Sequence, residues 1–154
     1  MKSDKFYSFA WAQNEKGDQT AKMYGNLWKA KSVHEAIEIF GELDKTEHGF
    51  NALPGNYVFA DNKGNIGYQA AIALPVRKEK TPFIGQRVLD GTSSAYDWEP
   101  NTLASIKELA RSVNPKKGFI VTANNRQTSD NVKFDHGASN VSTARSRRIT
   151  EIIE

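Results

Sequence analysis

The chain is 154 residues long, room for one domain with a real core, and its net charge of +3 does not by itself imply a polyanionic partner. The absence of cysteine excludes disulfides, thiol catalysis and thiolate metal sites, and three widely separated histidines give no metal-ligand spacing. Hydrophobic residues make up only 38%, partly offset by eight Phe, five Tyr and three Trp, and no apolar run approaches membrane-spanning length or the core of a signal peptide.

The first element is Phe6 to Ala12, FYSFAWA, which alternates as a strand would, with Tyr7, Phe9 and Trp11 on one side. A polar turn around Lys16-Gly17-Asp18 follows, and Ala21 to Ala30 forms a short helix holding Met23, Leu27 and Trp28. Ser32-Val33-His34-Glu35 has the form of a capping box, with Ser32 as N-cap and Glu35 reaching back. Val33, Ala36, Ile37, Phe40 and Leu43 then recur at helical spacing, so an amphipathic helix is predicted, with His34 at its surface.

Asn56 to Asp61 and Asn65 to Leu74 flank Asn62-Lys63-Gly64, a β-hairpin pattern. The second strand carries Gly67, Ala70, Ala71 and Ala73, small residues that let another layer approach closely, and Pro75 ends it. Arg77 to Lys80 reads as a solvated loop, and Pro82 to Pro100 as an ordered loop pinned by Tyr96 and Trp98. Ser93-Ser94 has no histidine at a suggestive spacing, so these serines read as turn residues. Thr102 to Val113 is a helix candidate with Leu103, Ile106, Leu109 and Ala110 on one side, broken by Asn114-Pro115.

The stretch Gly118 to Arg126, GFIVTANNR, changes character in its middle. Phe119 to Thr122 is β-branched and aromatic, as in a short, mostly buried strand. Asn124 and Asn125 then stand where it meets a polar loop. An Asn amide is a neutral donor at any working pH, and a donor held at the end of a rigid element can be aimed at a developing oxyanion. Strand-to-loop junctions are also rich in Asn for turn reasons, and composition alone favours that account. Beyond it lie a polar stretch with Asp130, Asp135 and the sequon Asn140-Val141-Ser142, then a helix from Ala144 to Glu154 that begins with Arg145, Arg147 and Arg148. This basic cluster is short and lacks interleaved stacking aromatics, so nucleic-acid binding is not expected.

Taken in order, NYVFADNKGNIGY, DGTSSAYDW and NPKKGFIVTANNR followed by ARSRRI resemble the penicillin acylase (penicillin amidase) family of N-terminal nucleophile hydrolases, from about Phe6 onwards. The resemblance implies an α+β fold, part of an αββα sandwich of mostly antiparallel strands with flanking helices, with residues 1–154 forming a single partial domain. It implies cleavage of linear amides, of penicillin or acyl-homoserine-lactone type, by a chain-terminal serine whose own amine is the base. By motif match, Asn124 resembles the oxyanion-hole Asn, Arg148 the active-site Arg of the downstream helix, and Asp135 one ligand of a structural calcium.

The family's nucleophile is the first residue of the larger chain, whereas this sequence begins Met1-Lys2-Ser3 and holds no Gly-Ser junction. A chain opening on a strand and closing inside a helix also reads as part of something larger. The expectation is therefore an interior piece of the nucleophile-bearing β chain, inactive alone. Its partners would be the α chain, the N-terminal part of the β chain and a small-molecule amide, with no nucleic acid and no membrane. Family members imply a periplasmic or extracellular setting. Tyr68, Trp11 and Trp98 could line an acyl pocket or simply belong to the core. A reading from another class is a non-catalytic remnant or interaction module.

Overall fold

A computed structural model describes residues 4–14, 17–46, 49–78, 85, 87–128 and 143–154, with the backbone alone described at residues 100–102. Among the described residues, three helices, α1 (Thr20–Leu27), α2 (Val33–Asp44) and α3 (Ala144–Ile153), accompany five strands, β1 (Gly55–Ala60), β2 (Ile66–Ala71), β3 (Pro75–Arg77), β4 (Trp98–Leu103) and β5 (Arg111–Val113). The strands form an antiparallel sheet in the order β1-β2-β5 and a separate antiparallel pair β3-β4. The fold is α+β, as expected.

Helix α2 starts where the capping residues place it. Ser32 Oγ accepts the Glu35 N–H at 3.2 Å, satisfying one donor of the first turn. The Glu35 carboxylate reaches one residue further back than a capping box requires, accepting the Lys31 N–H at 2.8 Å. Val33, Ala36, Phe40 and Leu43 are buried along the predicted face. Phe40 centres an aromatic cluster, with ring centroids 5.9 Å from Phe50, 5.1 Å from Tyr57 and 6.1 Å from Phe59.

In the hairpin, Asn56 lies opposite Ala70, Val58 opposite Tyr68, and Phe59 opposite Gly67. Opposed residues share a face, so the sheet has two distinct sides. One carries Tyr57, Phe59, Gly67 and Gln69 towards α2, and the other carries Asn56, Val58, Tyr68 and Ala70. Gly67 is what lets α2 lie so close: a Cβ there would collide with Val33 Cγ1. Gln69, buried in the central strand, donates to the Ile106 carbonyl at 3.2 Å.

Five sequence expectations are corrected. Phe6 to Ala12 is no strand; among the described residues it has no ladder partner, and Phe6, Tyr7, Phe9 and Trp11 are exposed. Pro75 opens β3 instead of closing a strand, and Arg77 lies over the Trp98 ring at 5.6 Å rather than in a solvated loop. Thr102 to Val113 is not a helix but the end of β4, a 3-10 turn at Ile106–Glu108, and β5. Its backbone groups are claimed by distant partners: Ala104 N–H by the Leu74 carbonyl and Ala110 carbonyl by the Ala70 N–H, each at 2.8 Å, and Ile106 N–H by the Asp44 carboxylate at 3.1 Å. Among the described residues, Phe119 to Thr122 pairs with no strand either. Gln127 Nε2 donates to the Val121 carbonyl at 2.9 Å, and the Ala123 N–H donates to Asn125 Oδ1 at 2.9 Å, so side chains stand in for a ladder.

Candidate active site

The loop after Val121 curls over the side of the sheet that faces away from α2. Asn124 adopts the left-handed backbone conformation, φ 63°, which Asn tolerates better than most residues. The turn puts Asn124 to Thr128 in one lining with Pro54, the first residues of β1 (Gly55 and Asn56), Tyr68, Ala70 and Ala71 of β2, and Ile72 just after it. Between them is an open cleft of about 440 Å³. Turn geometry and a place in the cleft lining are thus combined in one residue.

Helix α3 reaches this loop through its first turn. Thr143 caps the helix, its Oγ1 accepting the Ser146 N–H at 3.1 Å while donating to the Ala123 carbonyl at 2.8 Å. Within the first turn, the Arg145 guanidinium donates to the same carbonyl at 3.3 Å and to Asn124 Oδ1. This second bond fixes the chemistry of the amide. A guanidinium has only donors, so the oxygen of Asn124 must face it. The Nδ2 donors are thereby left over, and they have no partner among the described residues. A cation on the oxygen also polarises the amide and strengthens the remaining N–H donors.

On the opposite wall, the Tyr68 hydroxyl donates to Asn56 Oδ1 at 2.6 Å. Burial pushes the Tyr68 hydroxyl up to about 12, so it stays a donor throughout the working range. The described lining contains Arg126 but no carboxylate, histidine or lysine. Its hydroxyls are those of Thr128 and Tyr68, and neither has a base beside it in the lining. The cleft can therefore donate hydrogen bonds to a carbonyl oxygen, while the described residues hold no nucleophile–base pair.

Comparison with protein-family models matches penicillin amidase over residues 1–154. The chain belongs to the penicillin amidase family. These are amide hydrolases, and the resemblance read from the ordered motifs is the family the whole chain matches.

The penicillin-amidase site residues read from the sequence lie as follows. Asn124 lines the cleft. Arg148 is on the exposed side of α3, where it pairs with Glu151 at 3.2 Å with side chains 72% and 62% exposed. Asp135 and the Asn140 sequon lie outside the described residues. Among the described residues no three His, Cys, Asp or Glu side chains gather into a group able to hold a metal, and no helix is long and apolar enough to cross a membrane. Tyr68 is both buried and part of the cleft wall, whereas Trp11 and Trp98 stand outside the cleft lining. Ser93 caps the 3-10 turn at Ser94–Tyr96, as a turn serine should.

Arg145 is the residue that sequence reasoning passed over, having read it only as part of a short basic cluster. One signal was present. A cation in the first turn of a helix opposes the macrodipole, so Arg145, two residues after the Thr143 cap, needed a partner of its own.

Proposed function

We propose that this chain supplies the oxyanion side and one substrate wall of an amidohydrolase acting on a linear, small-molecule amide of the penicillin or acyl-homoserine-lactone type. It does so as a single partial domain, and the attacking hydroxyl comes from acylase polypeptide outside the described residues. The observation that carries this reading is the grip of Arg145 on Asn124 Oδ1, which leaves a polarised neutral donor at a cleft wall. When a hydroxyl adds to the amide carbon, its carbonyl oxygen gains negative charge. An N–H donor already oriented stabilises that charge more than it stabilises the neutral carbonyl, which lowers the barrier. The lack of a nucleophile–base pair in the described lining supports the further reading that the isolated chain does not turn over amides. Asp135 in a structural calcium site, with companion ligands from the rest of the acylase, and a periplasmic or extracellular setting belong to the same proposal; no step runs through the metal.

The test is co-expression with the remainder of the acylase polypeptide. The assembly should hydrolyse amides, and Asn124→Ala in it should lower kcat by about 10²–10³, the scale of one lost oxyanion donor. Unchanged turnover in that variant removes Asn124 from the mechanism. Failure of a well-folded assembly to hydrolyse any amide would favour the second reading, a non-catalytic interaction module, which the lack of a nucleophile–base pair in the described lining also supports.

A further inference from the structure

The wall opposite Asn124 repeats its arrangement. Asn56 is exposed on β1 and lines the same cleft, diagonal across the hairpin from Tyr68 on β2. Tyr68 is 4% exposed, and its hydroxyl is held against Asn56 Oδ1 at 2.6 Å. With the oxygen occupied by a donor, the Asn56 Nδ2 hydrogens are free, and no described residue accepts them. The cleft thus has an amide on each wall, each with its acceptor taken by a fixed donor, Arg145 on one side and Tyr68 on the other. The described lining contains no carboxylate to accept from either amide. Two spare donors on residues that line one cavity of about 440 Å³ are complementary to a ligand with two acceptors.

We infer that Asn56, oriented by Tyr68, is a substrate-binding residue that hydrogen-bonds a second acceptor on the amide substrate, distinct from the scissile carbonyl oxygen. This rests on the reading of Asn124 given above. It makes Asn56 a specificity determinant and Tyr68 a positioning residue. Amides bearing an ether, keto or hydroxyl oxygen in the acyl chain are preferred over purely alkyl ones.

The experiment titrates the full ¹⁵N-labelled chain with N-methyl amides carrying a methoxy-ended acyl chain, in a series of increasing length. Each is paired with the alkyl amide in which CH₂ replaces the ether oxygen. Side-chain NH₂ resonances of Asn56 and Asn124 are followed directly. At least one ether probe should shift both amides and bind about fivefold to tenfold tighter than its alkyl partner, the worth of one net hydrogen bond. Asn56→Asp, which keeps the Tyr68 bond and has no donor, should abolish that advantage while leaving alkyl binding unchanged. Tyr68→Phe should shrink the advantage with the same indifference to alkyl probes, which a merely structural role would not do. A responsive Asn124 beside a silent Asn56, or equal weakening of ether and alkyl probes in Asn56→Asp, overturns this inference alone. An Asn124 that is silent with every probe overturns the oxyanion reading and this inference with it.

Discussion

At position 124 two demands meet that few side chains satisfy together. The backbone is left-handed, which favours Gly, Asn and Asp, and the proposed chemistry needs a neutral donor, which leaves Asn. Asn124→Asp therefore separates fold from function. Its carboxylate should keep the turn and hold Arg145 as well or better, yet it should remove activity from the assembled enzyme, because it cannot donate and would repel an oxyanion. A melting temperature that drops with the activity would show the loss to be structural instead. The two arginines of α3 part in the same assay. Removing Arg145 frees the amide to rotate and takes away a charge-assisted bond, so Arg145→Ala should lower kcat about 10- to 100-fold with little change in KM. Arg148→Ala breaks an exposed i,i+3 pair, worth about 0–1 kcal/mol at most, and should leave kcat nearly unchanged. The reverse ranking would return the supporting role to Arg148. Asn124 was legible because its motif is contiguous. Arg145 was not, because its partner lies 21 residues earlier and nothing local shows that the two segments meet.

Among the elements, α2 and the hairpin were legible from the chain because their signals are local: the Ser32 cap, the apolar spacing from Val33 to Leu43, and Asn62-Lys63-Gly64 between two strand patterns. The segment from Thr102 to Val113 was not, since its apolar spacing suits a helix while its hydrogen bonds are taken by Leu74, Ala70 and Asp44, each remote in sequence. The join between α2 and the hairpin gives two tests. At Gly67, an added methyl meets Val33 Cγ1, so Gly67→Ala should destabilise the chain by about 1–3 kcal/mol in chemical denaturation. Pairing it with Val33→Ala should recover part of that loss, and no recovery would place the cause elsewhere. Asp61 accepts from Asn65, Lys63 and the Val33 N–H at the head of α2. These bonds, the Asn65 side chain foremost, lower its pKa from 3.8 to about 2. The unfolded chain therefore binds this proton first as pH falls. The stabilisation is complete above the unfolded value and disappears as pH drops from 3.8 towards about 2. Thermal melts across that window should show a decline that Asp61→Asn flattens; parallel curves would exonerate Asp61.

Over the whole molecule, apolar groups are unevenly covered. The core joins α1, α2, the hairpin and the 3-10 turn after β4 around Met23, Phe40, Leu43, Phe50 and Ile106, while Phe6, Tyr7, Phe9, Trp11 and Trp28 are exposed. Aromatic area of this kind binds other apolar surfaces without selectivity. Phe6→Ser together with Phe9→Ser should therefore raise the soluble fraction of the isolated chain and reduce its binding of a hydrophobic dye, with no change in melting temperature. A fall in melting temperature would mean that these rings already pack against the protein. The third helix shows a different imbalance. Among the described residues, its hydrogen bonds to the cleft loop all come from Thr143 and Arg145, while Ile152 and Ile153 at the far end lie open to solvent. Among the described residues, its hold on that loop lies at its first turn. That turn cannot loosen without releasing the amide that it steers, so Arg145→Ala should quicken amide-proton exchange at Ser146 and Arg147, whose N–H groups donate to Thr143.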